Sequence, residues 1–517
     1  MDDHHDFQWY SCPVAIRFNG DVPVGLSGAR LTLSHPETAV VACDYIVSIS
    51  HVDDTAYDGC VVTSTRQYGT SAVEWFPASV VARVPLTDDV RLKGFLDFFR
   101  QHGFYLNPSQ TVSESDDELK VVVIKTKSPR LMLNLTGNAT PKPIRFAMDA
   151  HVGDGISIRS FPFNFTNAVL FGDFLSKGHL SFVVGSRSVS TGKPRFPVGY
   201  LTDVKYLENM SGALVSATGN PELSHGLVMG QLCKANGDGD LLWVVSWPTI
   251  WRVLSRLQGQ LHLPRNFPTE KSTIPPLPYP RSVFALMVTD GATRWGSCVL
   301  WQEGVLVTNQ HVIKDYALNR RIEAKVALIP SHQFIRLDDD DEIITPDPEL
   351  DLSFIILSPR NRAIVAPWTP ITTSTTETTR GQPVYSLSFG LVYSTHQTAP
   401  LVSQGIVNTV YTIDDIDAMM VTSARCWNGS SGGGLFSADH EFIGLISSNA
   451  EVRAPVWVGQ PAHERLHKLP ELSIALPVGL IEYCWRHRVQ PRVPSSVHRL
   501  WQLLPSHQDV VVASPKL

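Results

Sequence analysis

No stretch of the 517 residues approaches the eighteen or so uninterrupted apolar residues of a membrane-spanning helix, so helical membrane insertion is not expected. The start, Met1-Asp2-Asp3-His4-His5-Asp6, has neither the positive charge nor the apolar run of a secretory signal. Cysteine is scarce and odd in number: Cys12, Cys43, Cys60, Cys233, Cys298, Cys426 and Cys484 are too dispersed for a disulfide framework. A reducing, intracellular setting is expected from that. The 18 histidines are scattered, and no Cys/His spacing reads as a metal site. No basic run is present, and the net charge of -6 argues against a nucleic-acid or anionic-membrane partner.

What is there describes a globular chain, 43% hydrophobic and 18% charged. Its length exceeds a single core; roughly three domains, or two large all-β ones, would fit. Prolines crowd from Pro264 to Pro280, where missing backbone donors favour extended chain. Residues 261–282 are therefore expected to link a first domain, 1–260, to a second, 283–486, with a tail at 487–517. On both sides short β-type runs alternate with Gly, Pro and Asn turns, as at 283–288, 304–308, 352–357, 383–388, 405–410 and 443–448. Helical patterning is confined to 88–102, 248–257 and 477–485.

The two halves repeat. Gly381-Gln382-Pro383-Val384-Tyr385-Ser386 has a counterpart in Gly153-Asp154-Gly155-Ile156-Ser157-Ile158. The run Leu401–Val407 has one in Phe174–Leu180, and Ser431-Gly432-Gly433-Gly434-Leu435 has one in Ser211-Gly212-Ala213-Leu214-Val215. Each half then closes on a strand, a proline and an apolar helix-like stretch. Four matches in one order predict tandem β-barrel domains.

Three motifs in the second half carry chemistry. In Asn428-Gly429-Ser430-Ser431-Gly432-Gly433-Gly434, a serine sits on a glycine-rich turn. A nucleophile needs an exposed hydroxyl there, with the Gly429 and Ser431 amides aimed at a developing oxyanion. A flexible Gly/Ser loop is the bland alternative, which the flanking apolar strands disfavour. In Val305-Leu306-Val307-Thr308-Asn309-Gln310-His311, a strand delivers a histidine into a turn, where it can serve as general base. Taken singly, His311 reads as well as a surface histidine; Trp295-Gly296-Ser297 upstream tips the balance. Asp351 heads the apolar run Leu352–Leu357 and can orient the imidazole, although acids from Asp338 to Asp347 compete for that role. The chain order His311, Asp351, Ser431 is that of chymotrypsin-like barrels and not of subtilisins or α/β-hydrolases. The expected fold is all-β: tandem chymotrypsin-like double β-barrel domains, the first degenerate, the second catalytic. Arg425, Cys426, Ser447 and Ser448 are expected to wall the specificity pocket, and the reaction needs no metal or organic cofactor.

In the first half, Glu118-Leu119-Lys120 aligns with Glu349-Leu350-Asp351 and puts a lysine where the acid should be. No strand-turn-histidine is evident, so Ser211 is expected to lack both base and acid. A serine at its normal pKa is a poor nucleophile, and this half is expected to be inert.

With these pieces, and with Pro470-Glu471-Leu472-Ser473-Ile474-Ala475-Leu476-Pro477, the chain resembles the peroxisomal leader-peptide-processing proteases, relatives of the Deg/HtrA-type trypsin-like enzymes. The resemblance spans nearly the whole chain. It implies a serine endopeptidase of the peroxisomal matrix that removes N-terminal targeting peptides near a cysteine and processes β-oxidation enzymes, regulated by self-cleavage and oligomerisation. Its partners would be matrix-enzyme precursors and the import receptor. The end, Pro515-Lys516-Leu517, resembles a peroxisomal address, with proline in place of the usual small residue. Val312 stands where secreted relatives carry a cysteine. Ser430 stands where they carry an aspartate, so activation by a new N-terminus is not expected. The stretch after Arg486 is short for the PDZ domain common in Deg/HtrA relatives. Two rivals remain: a general quality-control protease, and a non-catalytic scaffold built from two inactive barrels.

Overall fold

A computed structural model describes the chain apart from residues 1–6, 19–23, 37–40, 52–58, 64–72, 108–118, 127–141, 168–169, 186–195, 258, 262–268, 272–278, 329–332, 392–398, 454–465 and 503–517. Most of the expected linker and the Pro515-Lys516-Leu517 terminus lie outside the described residues. The chain divides into two compact units, Met1–Pro278 and Tyr279–Leu517.

The first unit holds two barrels. Strands β1 (Gln8–Phe18), β2 (Val24–Ser34), β3 (Val41–Ser50), β4 (Gly59–Thr63), β5 (Phe76–Pro85) and β6 (Lys120–Thr126) pair antiparallel in the cyclic order 1-2-3-6-5-4. Closure leaves no edge unpaired. Inward residues such as Val14, Ile16, Leu26, Ile46, Val62 and Ile124 fill the interior, as the period-2 pattern requires. Helix α1 (Val90–Gln101) follows β5, capped by Asp89 through the Arg91 and Leu92 amides.

The second barrel repeats the order. Its strands are β7 (Gly155–Ser160), β8 (Phe174–Val184), β9 (Gly199–Thr202), β10 (Leu214–Ala217), β11 (Leu223–Cys233) and β12 (Gly239–Ser246). Helix α2 (Trp247–Leu254) closes the unit, with Pro248 in its first turn.

The second unit is built alike. Its first sheet runs β13 (Val283–Asp290), β14 (Ala292–Gln302), β15 (Val305–Asn309), helix α3 (Gln310–Leu318), β16 (Glu323–Leu328), β17 (Gln333–Arg336), β18 (Glu342–Ile344) and β19 (Leu352–Ile356). Strand β19 pairs β15 and β16 pairs β13, and the ends β17 and β18 do not pair with each other among the described residues. One core, including Phe284, Leu286, Leu300, Leu306, Val326 and Ile355, fills its interior. The last barrel closes in the same cyclic order from β20 (Pro383–Ser388), β21 (Leu401–Ile413), β22 (Ile416–Thr422), β23 (Gly434–Ser437), β24 (Phe442–Arg453) and β25 (Leu466–Pro477). Helix α4 (Val478–Arg486) follows, then α5 (Ser495–Trp501) inside the stretch assigned to the tail. The fold is the expected one, mostly β with closed barrels.

Register corrects one expectation. Ile49 pairs with Val121 as Asn309 pairs with Leu352, so Lys120 matches Asp351 and His51 falls at the place of His311. The first half does carry a histidine after its third strand. Ser48-Ile49-Ser50-His51 shares too little with Thr308-Asn309-Gln310-His311 to be seen without the pairing.

A second histidine of this unit, His225, is fully buried, and neither ring nitrogen has a partner among the described residues. Its ring meets Tyr200 edge-on with centroids 6.0 Å apart. Burial pushes its pKa from 6.5 down to about 4. Between those values the unfolded chain binds a proton that the folded chain refuses, so stability falls as pH drops through that window. In denaturant titrations at pH 7 and 4.5, His225→Gln should lose about 2–3 kcal/mol less stability than the parent. Equal losses would show that this imidazole is not the acid-labile group.

Candidate active site

The site lies between the two barrels of the second unit, where three connections converge. The turn between β22 and β23 carries Ser431. Its backbone is fixed by bonds from Ser430 N to Trp427 O (2.8 Å), Gly432 N to Ile446 O (2.8 Å) and Gly433 N to Ser430 O (2.8 Å). Ser297 ties it to the other barrel: its N–H donates to Ser431 O (2.7 Å) and its hydroxyl to Gly429 O (3.0 Å). Among the described residues the Gly429 and Ser431 amides alone in this turn, from Gly429 to Gly433, have no partner. One is the serine's own amide and the other lies two residues before it, the spacing of an oxyanion pair.

Two glycines are obligatory. Gly432 has φ +81° and a side chain there would strike Ser297 O and Thr308 Oγ1. Gly429 has φ +89° and lies against the Trp295 indole. Only glycine meets both the left-handed backbone and the close approach.

Helix α3 begins at Gln310, so His311 stands in its first turn. The aspartate arrives from a 3-10 turn, Pro348–Leu350, and adopts φ +53°, a left-handed conformation few non-glycine residues take. There it makes two bonds to one residue. Its Oδ1 accepts the His311 amide (2.9 Å) and its Oδ2 accepts the ring Nδ1–H (2.6 Å). An acceptor at Nδ1 leaves the lone pair on Nε2. The Asp351 carbonyl accepts from Gln310 N (3.0 Å) and from Asn309 Nδ2 (3.0 Å), which locks strand end and turn together. The rival acid Asp347 caps the 3-10 turn through Glu349 N (3.0 Å), and Asp341 serves Asp338 N and Ser358 N.

His311, Asp351 and Ser431 line one cavity of about 340 Å³. The Ser431 hydroxyl donates to Ser447 O (3.0 Å), not to the imidazole. Of the expected pocket residues, Cys426, Ser447 and Ser448 line the cavity. Arg425 does not: its backbone is clamped by Ser403 Oγ (3.0 Å) and Ser386 Oγ (2.9 Å), and its side chain is buried away from the lining.

Sequence reasoning missed part of the wall. Trp427, Lys468 and Ile474 contribute to it, and so does Trp501 of α5. That helix is pinned on both sides. The Trp501 indole donates to Ala418 O (2.9 Å), and His498 Nε2 meets Asp347 Oδ2 (2.7 Å) beside the turn that delivers Asp351. The apolar spacing Val497, Leu500, Trp501 was the available signal.

Residues 296–445 match the family model described as trypsin-like peptidase domain. Solved structures similar to the chain include HtrA-type protease AlgW with a tripeptide, at 20% identity over 40% of this chain and 60% of that one, TM-score 0.30. Deg5 is similar at 20% identity over 39% and 86%, TM-score 0.28. A serine endoprotease from Yersinia pestis is similar at 19% identity over 42% and 65%, TM-score 0.30. The chain spans 60% of the length of the AlgW protein. No curated protein sequence matches it. His311, Asp351 and Ser431 fall within the matched residues, and the first unit falls outside them.

Proposed function

We propose that the chain is a serine endopeptidase in which Ser431 is the nucleophile, His311 the general base and Asp351 the residue that orients it. The supporting observation is one cavity holding all three, with the Gly429 and Ser431 amides unpartnered among the described residues. Rotation of Ser431 about χ1, between ordinary staggered states, frees its hydroxyl from Ser447 for His311. Ser431 Oγ then bonds to the substrate carbonyl carbon while its proton passes to His311 Nε2. The carbonyl oxygen takes the negative charge and receives the Gly429 and Ser431 N–H groups. The C–N bond breaks as the imidazolium returns the proton to the leaving amine, and water repeats the sequence to release the acid.

For the substrate we infer precursors of peroxisomal matrix enzymes, cut once to remove a leader peptide, with the chain directed there by Pro515-Lys516-Leu517. The Deg/HtrA-like motifs around the triad and the C-terminal tripeptide support this reading. The test is N-terminal sequencing of the products from a matrix-enzyme precursor, run beside casein. One defined cut in the precursor with casein intact is expected. Broad degradation of both would replace processing with quality control. Cleavage of neither, with no fluorophosphonate labelling of Ser431, would leave the scaffold.

A further inference from the structure

The first unit reproduces the nucleophile turn of the second, bond for bond. Ser27 N donates to Ser211 O (3.0 Å) and Ser27 Oγ to Asn209 O (2.8 Å), as Ser297 does to Ser431 and Gly429. Gly212 N donates to Val228 O (2.8 Å), the counterpart of Gly432 N to Ile446 O. Gly212 has φ +84°, and Asn209, in the place of Gly429, has φ +68°. The Asn209 and Ser211 amides have no partner among the described residues. Ser211 Oγ donates to Met229 O (3.1 Å), as Ser431 Oγ does to Ser447 O. Even the brace is kept: Ser48 Oγ bonds Ser27 O (2.5 Å) where Thr308 Oγ1 bonds Ser297 O (2.7 Å).

Three differences close this site. Lys120 stands at the register position of Asp351, so among the described residues no carboxylate holds Nδ1 of His51. The ring instead meets Met229 O through Nε2 (2.6 Å). A carbonyl only accepts, so Nε2 carries the proton and cannot take one from serine. Burial also lowers the pKa of that imidazole. Finally Tyr206, five residues before Ser211, occupies the place that Cys426 holds before Ser431. Its ring is packed into the barrel core, and its hydroxyl lies 3.1 Å from Ser211 Oγ. Ser211 is fully buried, whereas Cys426 and Ser431 border an open cavity.

We propose that the first unit is a sealed serine-nucleophile site. Its serine, histidine and oxyanion amides are retained, its base is held in the wrong tautomer by the loss of the acid, and its pocket is plugged by Tyr206. It follows that in the natural chain no substrate side chain enters this pocket. Opening it needs two changes, a small residue at 206 and an acceptor at 120. The opened site takes acyl and phosphonyl electrophiles. With a fluorophosphonate, Ser211 Oγ bonds to phosphorus, the P–F bond breaks, fluoride leaves and the hydroxyl proton passes to His51 Nε2.

The inference stands on the first unit alone, and a Ser431→Ala background keeps the second unit silent in its test. The full chain is incubated with a fluorophosphonate and the modified serine identified by mass spectrometry. Ser431→Ala alone should carry no label on Ser211. Adding Tyr206→Ala and Lys120→Asp should raise labelling of Ser211 roughly a hundredfold or more, the scale of general-base assistance. Ser211→Ala should abolish it. Tyr206→Cys with Lys120→Asp, which leaves a smaller void beside Ser211, is the gentler pair if the first does not fold. Labelling of Ser211 in Ser431→Ala alone would show that nothing seals the site. A folded double exchange, judged by near-ultraviolet circular dichroism, that stays unlabelled would show that no site survives there.

Discussion

Replacing Ser431 with alanine should lower kcat by about a million-fold while leaving KM and thermal stability nearly unchanged. The magnitude follows from the division of labour in the cavity. Without Oγ there is no acyl intermediate, and His311 and Asp351 have nothing to activate, so their effects vanish together. What remains is binding and the two amides, which by themselves sustain about 10³–10⁴-fold over the reaction in water. Folding should survive because alanine keeps Cβ and the backbone bonds of the turn. The only bond lost is that from Oγ to Ser447 O, worth about 1 kcal/mol. The measurement is peptide hydrolysis at saturating substrate beside a melting curve. Undiminished turnover would move the nucleophile elsewhere in the chain.

The parts of this site legible in the sequence are those where chemistry constrains neighbouring residues. A serine on a turn needs glycines within two positions, and a strand that leads into a histidine shows its alternation. Both patterns are local, and His311 and Ser431 line one cavity. The acid was harder. Asp351 follows seven other acids from Asp338 to Glu349, and only its contact with the apolar strand singles it out. The bonds to the His311 amide and ring depend on the left-handed backbone at Asp351, which no local pattern announces for an aspartate.

What the sequence hid was long-range. His51 is identified by β3–β6 pairing, because Ser48-Ile49-Ser50 keeps the geometry of Thr308-Asn309-Gln310 without its residue types. Tyr206 looks like any core aromatic until its hydroxyl is found beside Ser211. Arg425 and Cys426 are adjacent in the chain but face different surroundings, so naming one as pocket wall did not license the other. Backbone pairing conserves the position of a functional group more faithfully than composition does.

Asparagine at position 351 should lower kcat about 10⁴-fold with little change in KM or stability, the effect expected when a triad histidine is held in the wrong tautomer. The substitution is favourable because asparagine tolerates the left-handed conformation that Asp351 adopts at φ +53°. Its orientation is also determined. The His311 amide still needs an acceptor where Oδ1 now sits, so the side-chain oxygen stays there and the NH₂ group turns toward Nδ1. A donor facing Nδ1 moves the ring proton to Nε2, the state that His51 shows opposite Met229 O. Alanine would remove the charge as well, but it strains the turn, so loss of activity there would not isolate the tautomer. Hydrolysis by Asp351→Asn within tenfold of the parent would mean that another of the nearby carboxylates orients His311, and Asp347→Asn would then be the variant to assay.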